Sequence, residues 1–378
     1  MSAKPHVALL HYTAHPVTGG VESIMEEHRR LLSGAGYRVT VIAGRGDAVI
    51  VPEVDSRRPE SGFGELRQRL AGVLPPLLQG VDVVIAHNVM TMPFNLPLTA
   101  VLPELGRPVV AWTHDVAWVN PRYAQYHRPG APFDLLHTPA PGVRYVAISD
   151  VRREDLAAAY GVEAGVVSNG VDVSRLLRIR PSSVELLRRA KVWDATPLVL
   201  VPVRITPRKR LEDALEVAAR LGDAHPSLGW VVSGPLGPHQ AENVEYWAEL
   251  ANRRRELGLE GRFAFLHEFS EAGEHPVDDE MMAELYALAG AVFLPSESEG
   301  FGLPVVESAL TKTPIVCTDI PAFAEVGGLH GYRVGDVGAA ADALEGVLKA
   351  NPQARARQTY TWEAIFPKIE GVISDVLG

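Results

Sequence analysis

The chain of 378 residues is 47% hydrophobic and 22% charged, as in an ordinary globular protein. It is too long for one core, so two domains of similar size are expected. A net charge of −10 argues against a nucleic-acid partner or an anionic membrane surface, but a local basic cluster can still hold a small anion. One cysteine, Cys317, excludes a disulfide framework and points to a reducing, cytoplasmic setting. The opening Met1-Ser-Ala-Lys-Pro runs straight into an apolar segment without a signal-peptide pattern. No uncharged run approaches the ~20 apolar residues of a spanning helix, and no basic amphipathic helix argues for membrane contact.

Apolar runs predict strands at His6–Tyr12, Arg38–Ala43, Asp82–Ala86, Pro108–Trp112 and Val143–Ile148. Helical patterns intervene, one from Ile24 to Leu32 and one over Asp150–Tyr160 with Ser149 as N-cap. Polar residues recur just past the strand ends: His11, His87, Asn88, His114 and Asp115. Open α/β sheets bind ligands at that edge. Leu176–Ser183 carries no pattern and reads as a linker. The alternation then restarts, with strands at Pro197–Val203, Trp230–Ser233, Phe263–Leu266, Ala291–Leu294 and Pro314–Cys317. Helices are expected at Leu211–Leu221, Asn243–Leu257, Asp278–Ala289, Ala339–Leu348 and Thr361–Val376, the last amphipathic through Trp362, Ile365, Phe366, Ile369 and Ile373. Such β/α alternation predicts two doubly wound parallel sheets, with an interdomain cleft between their facing edges as the place for chemistry.

Three constellations carry chemistry. Ser296-Glu-Ser-Glu-Gly-Phe-Gly-Leu-Pro-Val-Val-Glu307 joins a buried strand to a helix, with Pro304 in its first turn. Gly300 and Gly302 let backbone amides approach a ligand, and a helix start binds anions. Glu299 on the loop and Glu307 on the helix suit a ligand carrying both phosphate and sugar hydroxyls. Arg204 and Lys209 flank another strand-to-helix junction, where a forked and a point cation can pair with a diphosphate; a solvated basic turn is the competing explanation. Gly19-Gly20 sits where the first strand feeds a helix but lacks G-x-G-x-x-G spacing, and a tight turn explains it equally well. His114 and His87 can contact a ligand oxygen or simply end strands. Asn169-Gly170 reads first as a turn. His11, His15 and His28 form no metal set with any carboxylate, and Cys317 reads as core. No G-x-S-x-G elbow and no P-loop occur.

Taken together, Gly19-Gly20-Val21-Glu22, Ser168-Asn-Gly-Val-Asp172, Arg204 with Lys209, Gly234-Pro235 and Glu299-Gly-Phe-Gly-Leu-Pro-Val-Val-Glu307 resemble the retaining glycosyltransferases of family 4 (glycosyl transferases group 1), which have the GT-B fold. The most specific feature is the pair of glutamates separated by seven residues. The Tyr360-Thr-Trp362 helix also resembles the family's, in which the chain's end returns to the first domain. The resemblance implies an α/β GT-B architecture of two Rossmann-like domains. Residues 1–178, completed by the helix 360–378, would form the acceptor side and 179–359 the nucleotide-sugar donor side.

The resemblance also implies roles. Arg204 and Lys209 would hold the donor's diphosphate. Glu299 would bond the donor sugar's hydroxyls, assisted by amides of Gly300, Phe301, Gly302 and Leu303, and Glu307 would bond the ribose. Gly19 and Gly20 would let a loop approach the phosphate, and Gly234-Pro235 with Leu266-His267 would line the base. His114 matches the histidine that faces the donor sugar. Departures are Arg210 after Lys209, where many members have glycine, and Val203 in place of a common glycine. On the acceptor side His87, Asn88, Thr91 and Asn95 could hydrogen-bond a polyol and Trp112 or Trp118 could stack on a sugar, or all could be packing residues. The implied activity is a hexosyltransferase, moving sugar from a UDP-, GDP- or ADP-sugar to a hydroxyl of a small molecule or glycan, with retention, by a front-face mechanism and without a metal. A nucleotide-sugar epimerase or a non-catalytic nucleotide-sugar-binding protein are the alternatives. A nicotinamide dehydrogenase would need the glycine fingerprint that Thr18-Gly-Gly-Val lacks.

Overall fold

The computed structural model describes residues 4–57, 62–237, 241–271, 274–327 and 331–378; Met1–Ala3 of the opening segment lie outside them. The chain divides into two compact units, one ending at Gly170 but including Trp362–Gly378, the other spanning Val171–Thr361.

The first unit is built on a parallel seven-stranded sheet: β1 (His6–Leu10), β2 (Arg38–Ala43), β3 (Val49–Ile50), β4 (Val83–His87), β5 (Val109–Thr113), β6 (Val143–Ala147) and β7 (Gly165–Val166). The strand order is β3-β2-β1-β4-β5-β6-β7. β1, β4 and β5 are buried along their whole length, as expected of parallel strands covered on both faces. Alternation divides their side chains between two cores. Ala8, Leu10, Val84, Ala86 and Ala111 enter one core; Val7, Leu9, Val83, Ile85, Val110 and Trp112 enter the other. The C-terminal helix Trp362–Leu377 buries Trp362, Ile365, Ile369 and Ile373 in that second core, with helical spacing. Ser149 caps Asp150–Tyr160 by accepting from Arg152 N–H, as its sequence position predicts. The helix Phe63–Leu77, which buries Leu66, Leu70 and Leu74, is not read from the sequence; Pro75 and Pro76 act there as breakers, yet they occupy its last turn.

The second unit has a parallel six-stranded sheet: β8 (Leu198–Val201), β9 (Gly229–Val232), β10 (Phe263–Phe265), β11 (Ala291–Leu294), β12 (Ile315–Thr318) and β13 (Gly331–Tyr332), in the order β10-β9-β8-β11-β12-β13. Cys317 is fully buried in β12.

The expected linker at Leu176–Ser183 is instead ordered. A short helix ends at Leu176 and another begins at Pro181. The order comes from partners about a hundred residues away, which no local pattern reveals. Glu284, on the helix Asp279–Leu288, accepts from Arg180 N–H at 2.8 Å, from Arg180 Nε at 3.1 Å and from the Ser183 hydroxyl. The same guanidinium bonds Asp278 and Glu280. Because Glu284 is buried, its loss strands several donors. Glu284→Ala should therefore cost about 1–3 kcal/mol, read as a lower denaturation midpoint; an unchanged midpoint would contradict this anchoring.

Candidate active site

In the second unit the strand order reverses between β8 and β11, and the crevice at such a reversal is where doubly wound sheets bind ligands. Two loops leave the sheet there. After β8 comes the tight turn Pro207–Lys209, then the helix Leu211–Gly222. After β11 comes the glutamate-rich loop, then the helix Leu303–Thr311. The loops are fastened together. Glu297 N–H donates to Arg208 O at 3.0 Å. Arg208 Nη1 donates to Ser298 O at 2.9 Å and reaches Glu299 Oε2 at 3.3 Å. Lys209 Nζ bonds Glu299 Oε1 directly, and Ser296 Oγ donates to the same oxygen at 2.9 Å. Thr318 Oγ1 in turn holds Ser296 O at 2.6 Å.

Lys209 is buried and the Glu299 carboxylate nearly so. Burial lowers the Lys209 pKa below an ordinary lysine's, while the bond to Glu299 opposes that shift. An ammonium has three donors, so Lys209 can serve Glu299 and still offer N–H groups to an anion.

The other predicted residues of this unit surround the junction. Arg204 is exposed and makes no hydrogen bond or ion pair among the described residues. Gly234, after β9, lies where a Cβ would come within 2.2 Å of Val203 O, so only glycine fits beside the chain leaving β8. Gly302 has φ +95 and opens the helix Leu303–Thr311 without a capping side chain, leaving helix-start amides for a ligand. Gly300 meets no such constraint. Phe301 and Leu303 are exposed. Glu307 accepts from Tyr286 OH at 2.6 Å through Oε2; its Oε1 has no partner among the described residues.

The sequence reading missed Arg208, Ser296 and Tyr286. Arg208 and Ser296 adjoin predicted residues and could have been read from the two motifs; nothing local signals Tyr286. Arg210 also gains an explanation. Its φ is +48, a left-handed conformation that glycine adopts freely, and a two-pronged pair with Asp213 at 2.7 and 2.9 Å holds the arginine there.

In the first unit the order reverses between β1 and β4. His11 Nδ1 donates to His87 O at 2.6 Å across that reversal, and His11 Nε2 lies 3.9 Å from Glu22. Gly19 precedes the helix Gly20–Gly34 without a capping side chain. His114 follows β5, and its Nε2 lies 3.3 Å from Nδ1 of His87. Asn88, with φ +54, accepts from the N–H groups of His114 and Asp115 at 3.1 and 2.8 Å, fixing that loop. Burial pushes His114 down to about 4 and His28 to about 3, and takes His87 well below the usual range. At neutral pH all three rings are uncharged, so His114 is a neutral hydrogen-bonding group there.

Most acceptor candidates are supports instead of contact groups. His87 is fully buried and Thr91 nearly so, its hydroxyl donating to Asp115 O at 2.6 Å. Asn95 is buried, capping the helix Leu96–Val101. Trp112 is core, and the Trp118 ring packs against His127 and His137 at 4.7 and 4.1 Å. Among the described residues no three His, Cys, Asp or Glu side chains group as metal ligands, and no helix is long and apolar enough to cross a membrane.

Comparison with known proteins identifies the family. The model of Glycosyltransferase Family 4 matches residues 18–175, and that of Glycosyl transferases group 1 matches 184–361. The chain belongs to family 4, with the α/β GT-B fold, and is a glycosyltransferase. Mannosylglucosylglycerate synthase of Thermotoga maritima is 23% identical over 359 residues, covering 84% of this chain and 81% of that protein. A D-inositol 3-phosphate glycosyltransferase of Thermomonospora curvata is 31% identical over 255 residues, covering 63% of this chain and 55% of that protein. The chain thus spans most of the first relative and about half of the second. The solved structure of Anabaena HepE with UDP and glucose is 21% identical, with a TM-score of 0.38, covering 98% of this chain and 100% of that one.

The buried histidines set a pH dependence. Their folded pKa values lie below the ~6.5 of an unfolded histidine. The unfolded chain therefore binds protons that the folded unit refuses. Stability is full above about pH 6.5 and is lost as pH falls toward the folded values. Denaturant titrations should show the unfolding free energy declining below that pH, by up to about 1.4 kcal/mol per pH unit for each ring. A midpoint unchanged down to about pH 5 would contradict their burial as neutral groups.

Proposed function

We propose that the chain moves a sugar from a nucleotide-diphosphate sugar to a hydroxyl acceptor, with retention of configuration and without a metal. The carrying observation is the Lys209–Glu299 junction at the sheet reversal. A cation suited to phosphate and a carboxylate suited to sugar hydroxyls lie side by side there. Lys209, with Arg204, which has no partner among the described residues, holds the diphosphate; Arg208 secures Glu299. Glu299 and the amides of Gly300 to Leu303 bind the sugar, and Glu307, oriented by Tyr286, binds the ribose. In the first unit the uncapped helix start at Gly19-Gly20 offers amides to phosphate, and neutral His114 donates to a sugar hydroxyl.

The chemistry follows from charge. The bond between the anomeric carbon and the β-phosphate oxygen breaks, and its electron pair stays on that oxygen. Preorganised cations and amides stabilise the developing charge most where water is excluded. The acceptor oxygen bonds the anomeric carbon from the face the phosphate leaves, and the acceptor's proton passes to the departing phosphate. The names of the relatives include a glycerate and an inositol phosphate, which supports a small hydroxyl-bearing acceptor. The single buried cysteine supports a cytoplasmic setting.

Lys209→Ala and Glu299→Ala should each lower transfer by about 100-fold or more at temperatures where both variants remain folded, although each also loses stability from the charge left unpaired; unchanged kinetics in both would remove the site. Chelation by EDTA should leave transfer intact, and loss that Mg²⁺ restores would overturn the metal-free mechanism. Among UDP-, GDP- and ADP-sugars, a true donor at about 100 times its Kd should add about 2.7 kcal/mol of stability, visible as a raised melting temperature; no shift with any of them would count against a nucleotide-sugar donor.

A further inference from the structure

Arg210 stands where the turn Pro207–Lys209 passes into the helix Leu211–Gly222, with φ +48 and ψ 49. Residues other than glycine adopt that left-handed conformation at a cost, and they keep it only where their surroundings over-determine it. Arginine gains nothing there as a helix cap, because a guanidinium has no acceptor; the Leu211 N–H donates instead to Tyr246 OH at 2.7 Å. What holds Arg210 is Asp213. Nε and Nη2 of the arginine donate to the two carboxylate oxygens at 2.7 and 2.9 Å, a forked geometry that fixes orientation as well as charge. Asp213 is buried, and every hydrogen bond its carboxylate makes among the described residues comes from this guanidinium. The pair is therefore unlike a solvated surface pair, which contributes little.

The turn just before Arg210 carries the fastening of the two loops. Lys209 N–H donates to Thr206 O at 3.0 Å and Arg210 N–H to Pro207 O at 2.9 Å, closing the turn. From it Arg208 O accepts from Glu297 N–H, the Arg208 guanidinium reaches Ser298 O, and Lys209 Nζ bonds Glu299. Beyond it Leu211, Ala214 and Leu215 are fully buried and anchor the helix in the core. The backbone of residue 210 sets the angle between these two parts. With the helix anchored, a rotation there displaces the turn, and Arg208 and Lys209 move with it.

We infer that Arg210 and Asp213 are positioning residues: their buried pair locks residue 210 in the left-handed conformation and so keeps Lys209 beside Glu299. Arg210 acts here through the backbone and not as a charge offered to the ligand. Glycine, which takes the conformation unaided, makes the pair dispensable. The functional consequence rests on the proposed binding of the donor's diphosphate by Lys209; the locking of the turn does not.

Two double variants of the full chain decide it, Arg210→Gly with Asp213→Asn and Arg210→Ala with Asp213→Asn. Both lack the two charges, and they differ by a single methyl group at residue 210. Each is compared with the wild type at a temperature where all are folded, by calorimetric titration with UDP, GDP and ADP. Hydrogen–deuterium exchange of the segment carrying Glu297, whose N–H spans the two loops, reports the fastening without any ligand. The glycine variant should match the wild type in affinity, within a few-fold, and in protection of Glu297. The alanine variant should bind about 5- to 30-fold more weakly, the population cost of one residue in the left-handed region, and should exchange faster at Glu297. Wild-type affinity and protection in both variants would overturn the inference, as would a lowered melting temperature of the alanine variant with neither property changed. Equal losses of affinity in both, with Glu297 protected, would make Arg210 a ligand-binding charge and also overturn it. If Lys209→Ala binds the nucleotides as the wild type does, the proposed phosphate role of Lys209 fails, while the exchange comparison still decides whether the pair holds the turn.

Discussion

The second unit depends on one buried ion pair between residues ninety positions apart, Lys209 and Glu299. Either charge alone would be costly to bury, and together they satisfy one another only if geometry and extra hydrogen bonds are right. The structure supplies those bonds through Ser296, Arg208 and the backbone of Glu297. The pair thereby locks the loop after β8 to the loop after β11, across the reversal of the sheet. Glycines make the approach possible: Gly234 admits the neighbouring chain, and Gly302 turns the second loop into its helix. The result is a preorganised patch in which positive and negative groups are already fixed before any ligand arrives.

The first unit handles polarity differently. His28 and His87 are buried with no carboxylate partner among the described residues, so they are held neutral. His11 and His87 bridge the reversal between β1 and β4, and Asn88 clamps the turn that carries His114. A neutral ring suits a group that meets sugar hydroxyls near developing positive charge, where an imidazolium would repel. The C-terminal helix contributes to the same interior, since Trp362 packs 5.7 Å from His28.

The strands and long helices were largely legible in the sequence, because β-branched apolar runs and helical periodicity are local signals. Ala291–Leu294 as a buried strand and Ser149 as a cap needed no tertiary information. The linker reading of Leu176–Ser183 failed because its order comes from Glu284 and Asp278, distant in sequence. Arg204, Lys209, Glu299 and Glu307 were legible as candidates, since strand-to-helix junctions show in the pattern. Their partners were not. Tyr286 touches Glu307 from another helix, and the pairing of Arg208 with Ser298 and Glu299 depends on strand order. His87 shows the opposite case: its place at a strand end suggested contact with an acceptor, but the sheet buries it completely.

Under the proposed function Lys209 serves the phosphates while Glu299 serves the sugar. Calorimetric titration of the wild type, Lys209→Ala and Glu299→Ala with a nucleoside diphosphate and with the matching nucleotide sugar separates the two. The account predicts that Lys209→Ala weakens both ligands by about 10-fold or more, the scale of a lost charge-assisted bond, whereas Glu299→Ala weakens the nucleotide sugar far more than the bare diphosphate. Equal affinity of all three proteins for both ligands would contradict it.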